Sequence, residues 1–336
     1  MKNYKNVLFI NYGGIGDEIL FLPTIDSFKK QYPNSKITLA LEPRSKSIKN
    51  LSKNIDEIIE VNIKENGLKK YFNLLNLIFT TWTKKFDCVI SSGKSPFVAI
   101  ILFLMFIKER VGYKSKTSFL LTKEIELNEN QYAAQMYHDL VKPLINNDFQ
   151  NPAIEITQDF ELNEKLNKNE YICIHPGVSK MSTLKNIYKC PKLPFWINLI
   201  NGLLEKNKQV ILLGTNDDKE LIEEILKDEK IKNNPNFINY FNKTKNIQEM
   251  AYIMKNSNCV ICVDSAPMHI AFAVNAKTFA IFAPTNEQKL VPNSENITII
   301  KNNVQCRPCL WHKRTENCKL SNCLNIDYNL ILDKIN

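Results

Sequence analysis

Short apolar runs alternate with longer amphipathic segments along the chain. The first run, residues 6–11 (NVLFIN), ends at a glycine-rich turn, and residues 17–31 then repeat apolar side chains at helical spacing. Further apolar runs follow at 36–41, 55–61, 86–90 and 110–112, separated by segments long enough for crossover helices. Such alternation predicts an α/β protein with a mostly parallel sheet that helices cover on both faces.

A polar segment rich in Asn, Asp and Pro, residues 146–165, interrupts this pattern. Strands are then predicted at 171–175, 209–213, 259–263 and 278–282, and helices at 195–206, 218–226, 246–255 and 266–274. We therefore expect two doubly wound domains, residues 1–155 and 156–336. In such sheets ligands bind beyond the carboxyl ends of the strands, so the loops there are the candidates for chemistry.

Length and charge narrow the class of protein. A chain of 336 residues is long enough for about two domains with cores of their own, which excludes a disulfide miniprotein. The 44 Lys and Arg residues exceed the 35 Asp and Glu residues by nine without forming a block, so charge indicates only an attraction to anionic partners. The amino-terminal apolar run is too short for a signal peptide, which predicts a cytoplasmic protein.

The longest apolar run, residues 96–107 (PFVAIILFLMFI), is too short to cross a membrane. As a helix it would extend about 18 Å, whereas the hydrocarbon core of a bilayer is about 30 Å thick. Two interpretations remain open, a buried helix or a surface that docks on a membrane.

The first loop, residues 11–17 (NYGGIGD), follows a predicted strand and opens a helix. Gly14 and Gly16 allow a close approach of the backbone to a ligand, and the amides of a helix start favour an anion. The glycines lack the G-x-G-x-x-G spacing of dinucleotide-binding loops. Asp17 is either a first-turn acid that the helix dipole stabilises or a general base.

Two further loops offer partners for a diphosphate. Residues 175–179 (HPGVS) precede hydroxyls and cations, including Ser179, Lys185 and Lys189, although a solvated basic loop would look the same. Residues 263–271 (VDSAPMHIA) end a strand and open a helix, with Asp264 or Ser265 as the N-cap. The amides of such a helix start would be available to an anion.

Four cysteines lie close together near the end of the sequence, within residues 306–323. Cys306, Cys309, Cys318 and Cys323 suggest a tetrahedral structural site for Zn or Fe, with His312 as a substitute ligand. The alternative is four free thiols, because the second pair lacks the C-x-x-C spacing. The other five cysteines fit buried reduced thiols.

The motifs together resemble glycosyltransferase family 9, the ADP-heptose:lipopolysaccharide heptosyltransferases. The resemblance rests on GGIGDEILFLPTIDSFKKQYPNSKITL (13–39), ERVGY (109–113), HPGVS (175–179) and VDSAPMHIAFA (263–273). It implies a GT-B fold, in which two Rossmann-like domains face each other across a cleft. It also implies inverting transfer without a catalytic metal or other cofactor.

The resemblance also assigns expected roles. Asp17 matches the proposed base, and the donor-binding candidates are Gly14, Gly16, Ser179, Lys189, Asp218, Asp264, Ser265, Ala266, Met268 and His269. Lys189 matches the phosphate-binding lysine through its spacing of seven to Trp196. Here the usual K-x-W-P reads Lys189-Cys190-Pro191, which leaves Lys185 as a rival. Asp218 matches an acid that contacts ribose.

We therefore expect an enzyme that transfers a heptose from ADP-heptose to a hydroxyl of a lipopolysaccharide core or another cell-surface glycan. Residues 1–155 would bind the acceptor and residues 156–336 the nucleotide sugar, with peripheral contact to the inner membrane and no nucleic acid partner. The alternatives are an NAD(P)-dependent oxidoreductase, a transferase for another nucleotide sugar or a protein acceptor, and a nucleic-acid-binding protein with a zinc-knuckle tail.

Overall fold

The computed structural model describes residues 3–65, 67–158, 160–161, 166–184, 186–310, 318 and 321–335. The chain divides into two compact units, Met1–Glu155 and Ile156–Asn336. In each unit the described residues form a six-stranded sheet in which all neighbouring strands are parallel. This confirms the predicted parallel α/β architecture. No helix among the described residues has both the length and the apolar character needed to cross a membrane.

The first unit has its sheet in the order β3-β2-β1-β4-β5-β6. Its strands are β1 (Asn6–Ile10), β2 (Lys36–Leu41), β3 (Glu57–Glu60), β4 (Cys88–Ser91), β5 (Glu109–Tyr113) and β6 (Lys123–Ile125), and its helices are α1 (Ile15–Gln31), α2 (Leu68–Lys84), α3 (Phe97–Leu104) and α4 (Ala133–His138). Short 3₁₀ helices cover Pro43–Leu51 and Ser118–Leu120. Burial explains the continuous apolar runs in the sequence, because β1 and β4 are buried almost completely within the sheet.

Helix α1 packs directly on the central strand of this unit. Phe9 of β1 meets Phe21 and Phe28 of α1 edge to face, with ring centroids 6.0 and 5.5 Å apart. Acidic residues occupy the first turn of α1 and Lys29 and Lys30 its last turn, as the helix dipole favours. The loop between β1 and α1 is therefore supported by a rigid strand and a rigid helix.

The second unit repeats the design with the order β12-β11-β10-β7-β8-β9. Its strands are β7 (Ile172–His175), β8 (Val210–Leu212), β9 (Phe237–Asn239), β10 (Cys259–Val263), β11 (Thr278–Phe282) and β12 (Ile297–Lys301). Its helices are α5 (Lys180–Leu184), α6 (Leu193–Glu205), α7 (Lys219–Ile225), α8 (Glu229–Lys232), α9 (Ile247–Lys255), α10 (Ala266–Ala273) and α11 (Asn329–Leu332). Short 3₁₀ helices cover Asn216–Asp218, Glu287–Lys289 and Asn322–Leu324.

The core of the second unit lies between this sheet and helix α6. Trp196 is fully buried there and packs with the aliphatic side chains of β7, β8 and β10. Burial of such a large aromatic side chain is worth roughly 1.5–3 kcal/mol or more, which fixes α6 and the loop that precedes it. The position of Lys189, in that loop, is set in this way.

Candidate active site

Asp17 lies in the first turn of α1 with an exposed side chain. Its Oδ2 accepts a hydrogen bond of 2.9 Å from the amide of Gly14, the N-cap of the helix. Both interpretations from the sequence are therefore compatible with the geometry, because the carboxylate supports the helix start and still faces solvent. A carboxylate held by a backbone amide and accessible to substrate can accept a proton.

The glycine loop owes its shape to side chains around it. A Cβ at Gly13 would lie 2.1 Å from the Cβ of Asp17, so only glycine fits there. The carbonyl of Gly13 accepts from Ser45 Oγ at 3.0 Å, and its amide donates to Glu18 Oε1 at 3.2 Å. Gly14 is the N-cap of α1, and Gly16 and Asp17 lie in its first turn, so these three predicted residues share the start of one helix.

Sequence reasoning missed two titratable groups next to Asp17. Glu18 is buried, and desolvation raises the pKa of its carboxyl well above the ordinary value. Burial likewise raises the pKa of the Tyr137 hydroxyl, and the charge of Asp17 adds to this effect. Neither residue carries a motif, and only the fold brings Tyr137 of α4 toward residues of α1.

In the second unit the structure brings Lys189 to the helix start predicted to bind diphosphate. Lys189 Nζ lies 2.9 Å from Asp264 Oδ2, and the side chains are only 14% and 3% exposed. The same ammonium group lies 3.4 Å from the carbonyl oxygen of Asp264. A cation is thus fixed at the carboxyl end of β10, where ligands of parallel sheets bind.

The start of α10 offers fewer amides than the sequence predicts. Ser265 is the N-cap in extended conformation, and its hydroxyl donates to the carbonyl of Val263 at 3.3 Å. The amide of Met268 donates to the carbonyl of Ser265 at 3.1 Å, so it is already satisfied. Those of Ser265 and Ala266 have no hydrogen-bond partner among the described residues. Met268 and His269 are buried, so their side chains support the start of α10 from inside the second unit.

Asp218 is buried beneath the loop that follows β7 and is bound within the protein. Its Oδ2 accepts from the amide of Thr215 at 2.8 Å and lies 3.8 Å from His175 Nε2. A Cβ at Gly177 would lie 1.6 Å from Asp218 Oδ1, so glycine is required there. Burial lowers the pKa of His175. The structure therefore gives Asp218 a role in shaping the 175–179 loop, and its predicted contact with ribose stays a prediction.

The other candidate residues of the basic segment after β7 are either exposed or lie outside the described residues. Ser179 is exposed, directly before α5, and the amide of Lys180 donates to Asp217 Oδ2 at 3.1 Å. Lys185, the rival of Lys189, lies outside the described residues, as does His312. Among the described cations, Lys189 is therefore the one that an ion pair holds against the start of α10.

Cys190 explains how the unusual Lys-Cys-Pro sequence is accommodated. Its Sγ lies 3.0 Å from the carbonyl oxygen of Pro176 and accepts from Trp196 Nε1 at 3.4 Å. The thiol thus connects the loop after β7 with the buried indole of α6, and burial raises its pKa to about 12. The residue before Pro191 has a structural role in positioning Lys189.

The four clustered cysteines lie near one another without forming a metal site. The described residues contain no group of three or more His, Cys, Asp or Glu side chains that could hold a metal. Burial and the charges of the other three thiols raise the pKa of Cys323 to about 11. The tetrahedral site expected for Cys306, Cys309, Cys318 and Cys323 is not assembled among the described residues; Cys306 and Cys318 are exposed, and Cys323 is buried.

Comparison with known proteins identifies the family. The family model described as glycosyltransferase family 9 (heptosyltransferase) matches residues 78–320, more than half of the chain. The chain belongs to glycosyltransferase family 9. It is therefore a glycosyltransferase, which decides against the oxidoreductase suggested by the glycine-rich loop.

Relatives and solved structures agree with this family. The chain is 23% identical to lipooligosaccharide heptosyltransferase 2 of Haemophilus influenzae over 319 residues, 88% of each chain. It resembles the Escherichia coli heptosyltransferase WaaC solved with ADP-2-deoxy-2-fluoro heptose, with a TM-score of 0.72, 15% identity and coverage of 98% of each chain. The iron-containing heptosyltransferase TibC of E. coli has a TM-score of 0.61 and 10% identity, over 99% of this chain and 76% of TibC. The fold is thus that of GT-B heptosyltransferases.

Proposed function

We propose that this glycosyltransferase moves a heptose from ADP-heptose to a hydroxyl of a lipopolysaccharide or another cell-surface glycan, with inversion at the anomeric carbon. The observation that carries the proposal is the Lys189–Asp264 pair at the start of α10, in a chain that belongs to the heptosyltransferase family. The H. influenzae relative, named a lipooligosaccharide heptosyltransferase, supports the acceptor class. The ADP-heptose analogue bound to WaaC supports the donor.

The second unit would bind the donor and stabilise the leaving group. The ammonium of Lys189 would form a charge-assisted hydrogen bond with a diphosphate oxygen. The amides of Ser265 and Ala266 would donate to the same group. As the bond between the anomeric carbon and the diphosphate oxygen breaks, negative charge grows on ADP, and fixed donors of this kind lower the barrier. Ser179, Asp218 and His269 would line the remainder of the donor site.

The first unit would bind and activate the acceptor. The acceptor hydroxyl oxygen attacks the anomeric carbon, its proton passes to the carboxylate of Asp17, and ADP leaves with the electrons of the broken bond. The hydrogen bond from Gly14 keeps one oxygen of Asp17 in place. Asp17 would thus combine both roles predicted for it, helix support and general base. Gly14 and Gly16 would allow the donor sugar to approach this loop.

Donor specificity can be tested on the purified protein by calorimetric titration with ADP, ADP-heptose, UDP-N-acetylglucosamine and NADH. We expect binding of ADP and ADP-heptose, and no binding of UDP-N-acetylglucosamine or NADH. The matched variants are Lys189→Ala and Lys192→Ala, because Lys192 is an exposed lysine three residues away. Loss of ADP binding in the first variant alone supports the assignment, and equal loss in both contradicts it.

Transfer itself is tested by mass spectrometry of glycan acceptors incubated with ADP-heptose and the protein. A mass increase of one heptose with release of ADP is the expected result. Binding of ADP-heptose with no product on any lipopolysaccharide core would move the acceptor assignment to another glycan or a protein. Product formation from UDP-N-acetylglucosamine instead would overturn the donor assignment.

We also propose that Cys306, Cys309, Cys318 and Cys323 close on a structural Zn or Fe ion when it is supplied. Support comes from their number and from their proximity, since the neighbouring thiols contribute to the raised pKa of Cys309 and of Cys323. Four thiolates would fill a tetrahedral site and leave no position for substrate. Metal analysis should find about one ion per chain, lost in Cys306→Ser/Cys318→Ser and retained in Cys190→Ser. Four reactive thiols without metal would contradict this proposal.

A further inference from the structure

Most of the large hydrophobic side chains that the first unit exposes belong to α2, α3 and the residues that follow α3. On α2, six exposed residues repeat at the spacing of one helical stripe, namely Leu68, Tyr71, Phe72, Leu75, Phe79 and Trp82. Other residues of α2, chiefly Leu77, Ile78 and Thr81, are buried and pack the helix on the sheet. The stripe is therefore not needed for the core of the first unit.

Aromatic contacts extend this stripe from α2 to the end of α3. The ring of Trp82 lies 4.9 Å from that of Phe79 and 5.9 Å from that of Phe106, and Trp82 Nε1 donates to the carbonyl of Leu104 at 3.1 Å. Phe106 in turn neighbours Phe103 at 6.5 Å. We call this continuous surface, with Leu68, Tyr71, Phe72, Leu75, Phe79, Trp82, Phe103, Leu104 and Phe106, the aromatic face.

Phe106 is held in an unfavourable backbone conformation. Its φ is +54°, in the left-handed region that glycine and asparagine prefer, and its side chain is 71% exposed. A bulky residue at such a position costs of order 1 kcal/mol and gains little packing in return. The left-handed residue ends α3, a place where glycine is usual, and here it carries an exposed aromatic ring instead.

Lysines outnumber acids in the segment that carries the aromatic face. Residues 67–108 contain six lysines (69, 70, 84, 85, 94 and 108) and one acid, Asp87, a balance of 6 − 1 = +5. All six lysines are exposed, and Asp87 Oδ2 accepts from the amides of Lys5 and Asn6. Lys84 and Lys94 are paired with Glu57 and Glu129, whereas the other four lysines have no ion pair among the described residues. Two copies of the chain that met through this face would bring like charges together, so the charge favours an anionic partner.

We propose that the aromatic face is a docking surface for a membrane rich in anionic lipid. Exposed Phe and Leu side chains can enter the boundary between headgroups and acyl chains, and Trp and Tyr are the aromatic residues that prefer this interface. The lysines beside them attract anionic headgroups, each worth a few-fold in affinity near the surface. The apolar run 96–107 is thus part of both a core and a surface, since Ala99 and Leu102 are buried while Phe103, Leu104 and Phe106 are exposed.

The test measures co-sedimentation of the full chain with vesicles of phosphatidylethanolamine and phosphatidylglycerol, compared with vesicles of phosphatidylcholine alone. It requires no donor or acceptor, so its outcome is separate from that of the proposed reaction. We expect binding to the anionic vesicles and at least about tenfold weaker binding to the zwitterionic ones. Equal binding to both, or no binding to either, would overturn the proposal.

Two substitutions reduce the aromatic face without threatening the fold. Phe72→Ser replaces an exposed ring, and Phe106→Gly relieves the positive φ, so the second variant should be at least as heat-stable as the parent. Their combination should weaken binding about tenfold or more. A matched pair compares Leu75→Ser with Leu330→Ser, because these leucines are 48% and 45% exposed and Leu330 lies in the second unit. Only Leu75→Ser should reduce binding.

Analytical ultracentrifugation separates the membrane from a second copy as the occupant. A monomeric parent protein whose vesicle binding fails in Phe72→Ser/Phe106→Gly supports the proposal. A dimer that the same two substitutions dissociate would assign the aromatic face to self-association and overturn it. Unchanged vesicle binding in the double variant would overturn it as well.

Discussion

Asp17 and Asp264 are acids at corresponding places in the two units, yet their surroundings differ. Each lies at a junction where a parallel strand gives way to a helix, Asp17 in the first turn of α1 and Asp264 directly after β10. Asp17 is exposed and is held by one backbone amide. Asp264 is 3% exposed and is paired with a lysine.

The difference separates two kinds of chemistry that one fold can support. An exposed carboxylate without a cationic partner can accept a proton from a substrate. A buried carboxylate beside an ammonium group stays in that ion pair. Its contribution to binding is to orient the lysine toward an anion. The same junction therefore serves proton transfer in one unit and charge stabilisation in the other.

The largest effect is expected from Asp17→Asn. The amide oxygen can still accept from Gly14, so the helix start should persist, while the loss of a base should lower kcat about 10²- to 10⁴-fold. Affinity for ADP-heptose should hardly change. The matched control is Glu229→Gln, since Glu229 is an exposed first-turn acid of α8. Near-normal turnover by folded Asp17→Asn would leave Asp17 with a role in helix support alone.

The Lys189–Asp264 pair is tested by removing one partner and then both. Lys189→Met should reduce the free energy of unfolding by about 3–5 kcal/mol, because a buried charge is left unpaired. Lys189→Met/Asp264→Asn should recover most of that stability but still bind ADP at least about tenfold more weakly. Thermal unfolding and calorimetry measure the two quantities. If the double variant also recovered ADP affinity, the pair would be purely structural.

Asp26, on the same helix as Asp17, shows what burial does to an acid without a close cation. Desolvation raises the pKa of Asp26 to about 6, although Asn54 Nδ2 donates to it at 2.8 Å. Between the ordinary value of 3.8 and about 6, the folded chain keeps a proton that the unfolded chain releases. Stability should therefore fall as pH rises through this window, by at most about 3 kcal/mol. The melting temperature of Asp26→Asn should no longer fall as pH rises through this window. An unchanged pH dependence would mean that another group causes it.

Gly177 and Gly14 should differ in their tolerance of a methyl group. Gly177→Ala would place Cβ 1.6 Å from Asp218 Oδ1 and should cost about 1–3 kcal/mol of stability, together with donor affinity. Gly14→Ala meets nothing closer than 3.7 Å, at the guanidinium of Arg44, and should cost less than about 1 kcal/mol. Thermal unfolding of both variants checks this order, and the reverse order would contradict the arrangement of the 175–179 loop.

Hydrophobic patterning predicted the central part of each sheet better than its edges. The predicted strands 36–41, 259–263 and 278–282 coincide with β2, β10 and β11, because a strand buried on both faces is continuously apolar. Strands β6, β9 and β12 were not predicted. The first two have only three residues each, and in β6 the polar Lys123 and Glu124 resemble a loop.

The sequence predicted which loops carry the candidate site but not which of its side chains contact each other. Loops after buried strands pointed to Asp17 and Asp264, since parallel sheets place ligands there. The pairing of Lys189 with Asp264 spans 75 residues, and no local pattern encodes such a contact. The internal partners of Asp218, and the spread of the four clustered cysteines between surface and interior, likewise depend on tertiary packing.

The position of β7 in its sheet has a consequence for synthesis of the chain. β7 pairs on one side with β10, whose first residue, Cys259, comes 84 residues after the end of β7 at His175. Until β10 leaves the ribosome, one backbone edge of the central strand is uncovered, which slows folding and invites wrong pairing. The second unit should therefore be open to misfolding until β10 has been synthesised.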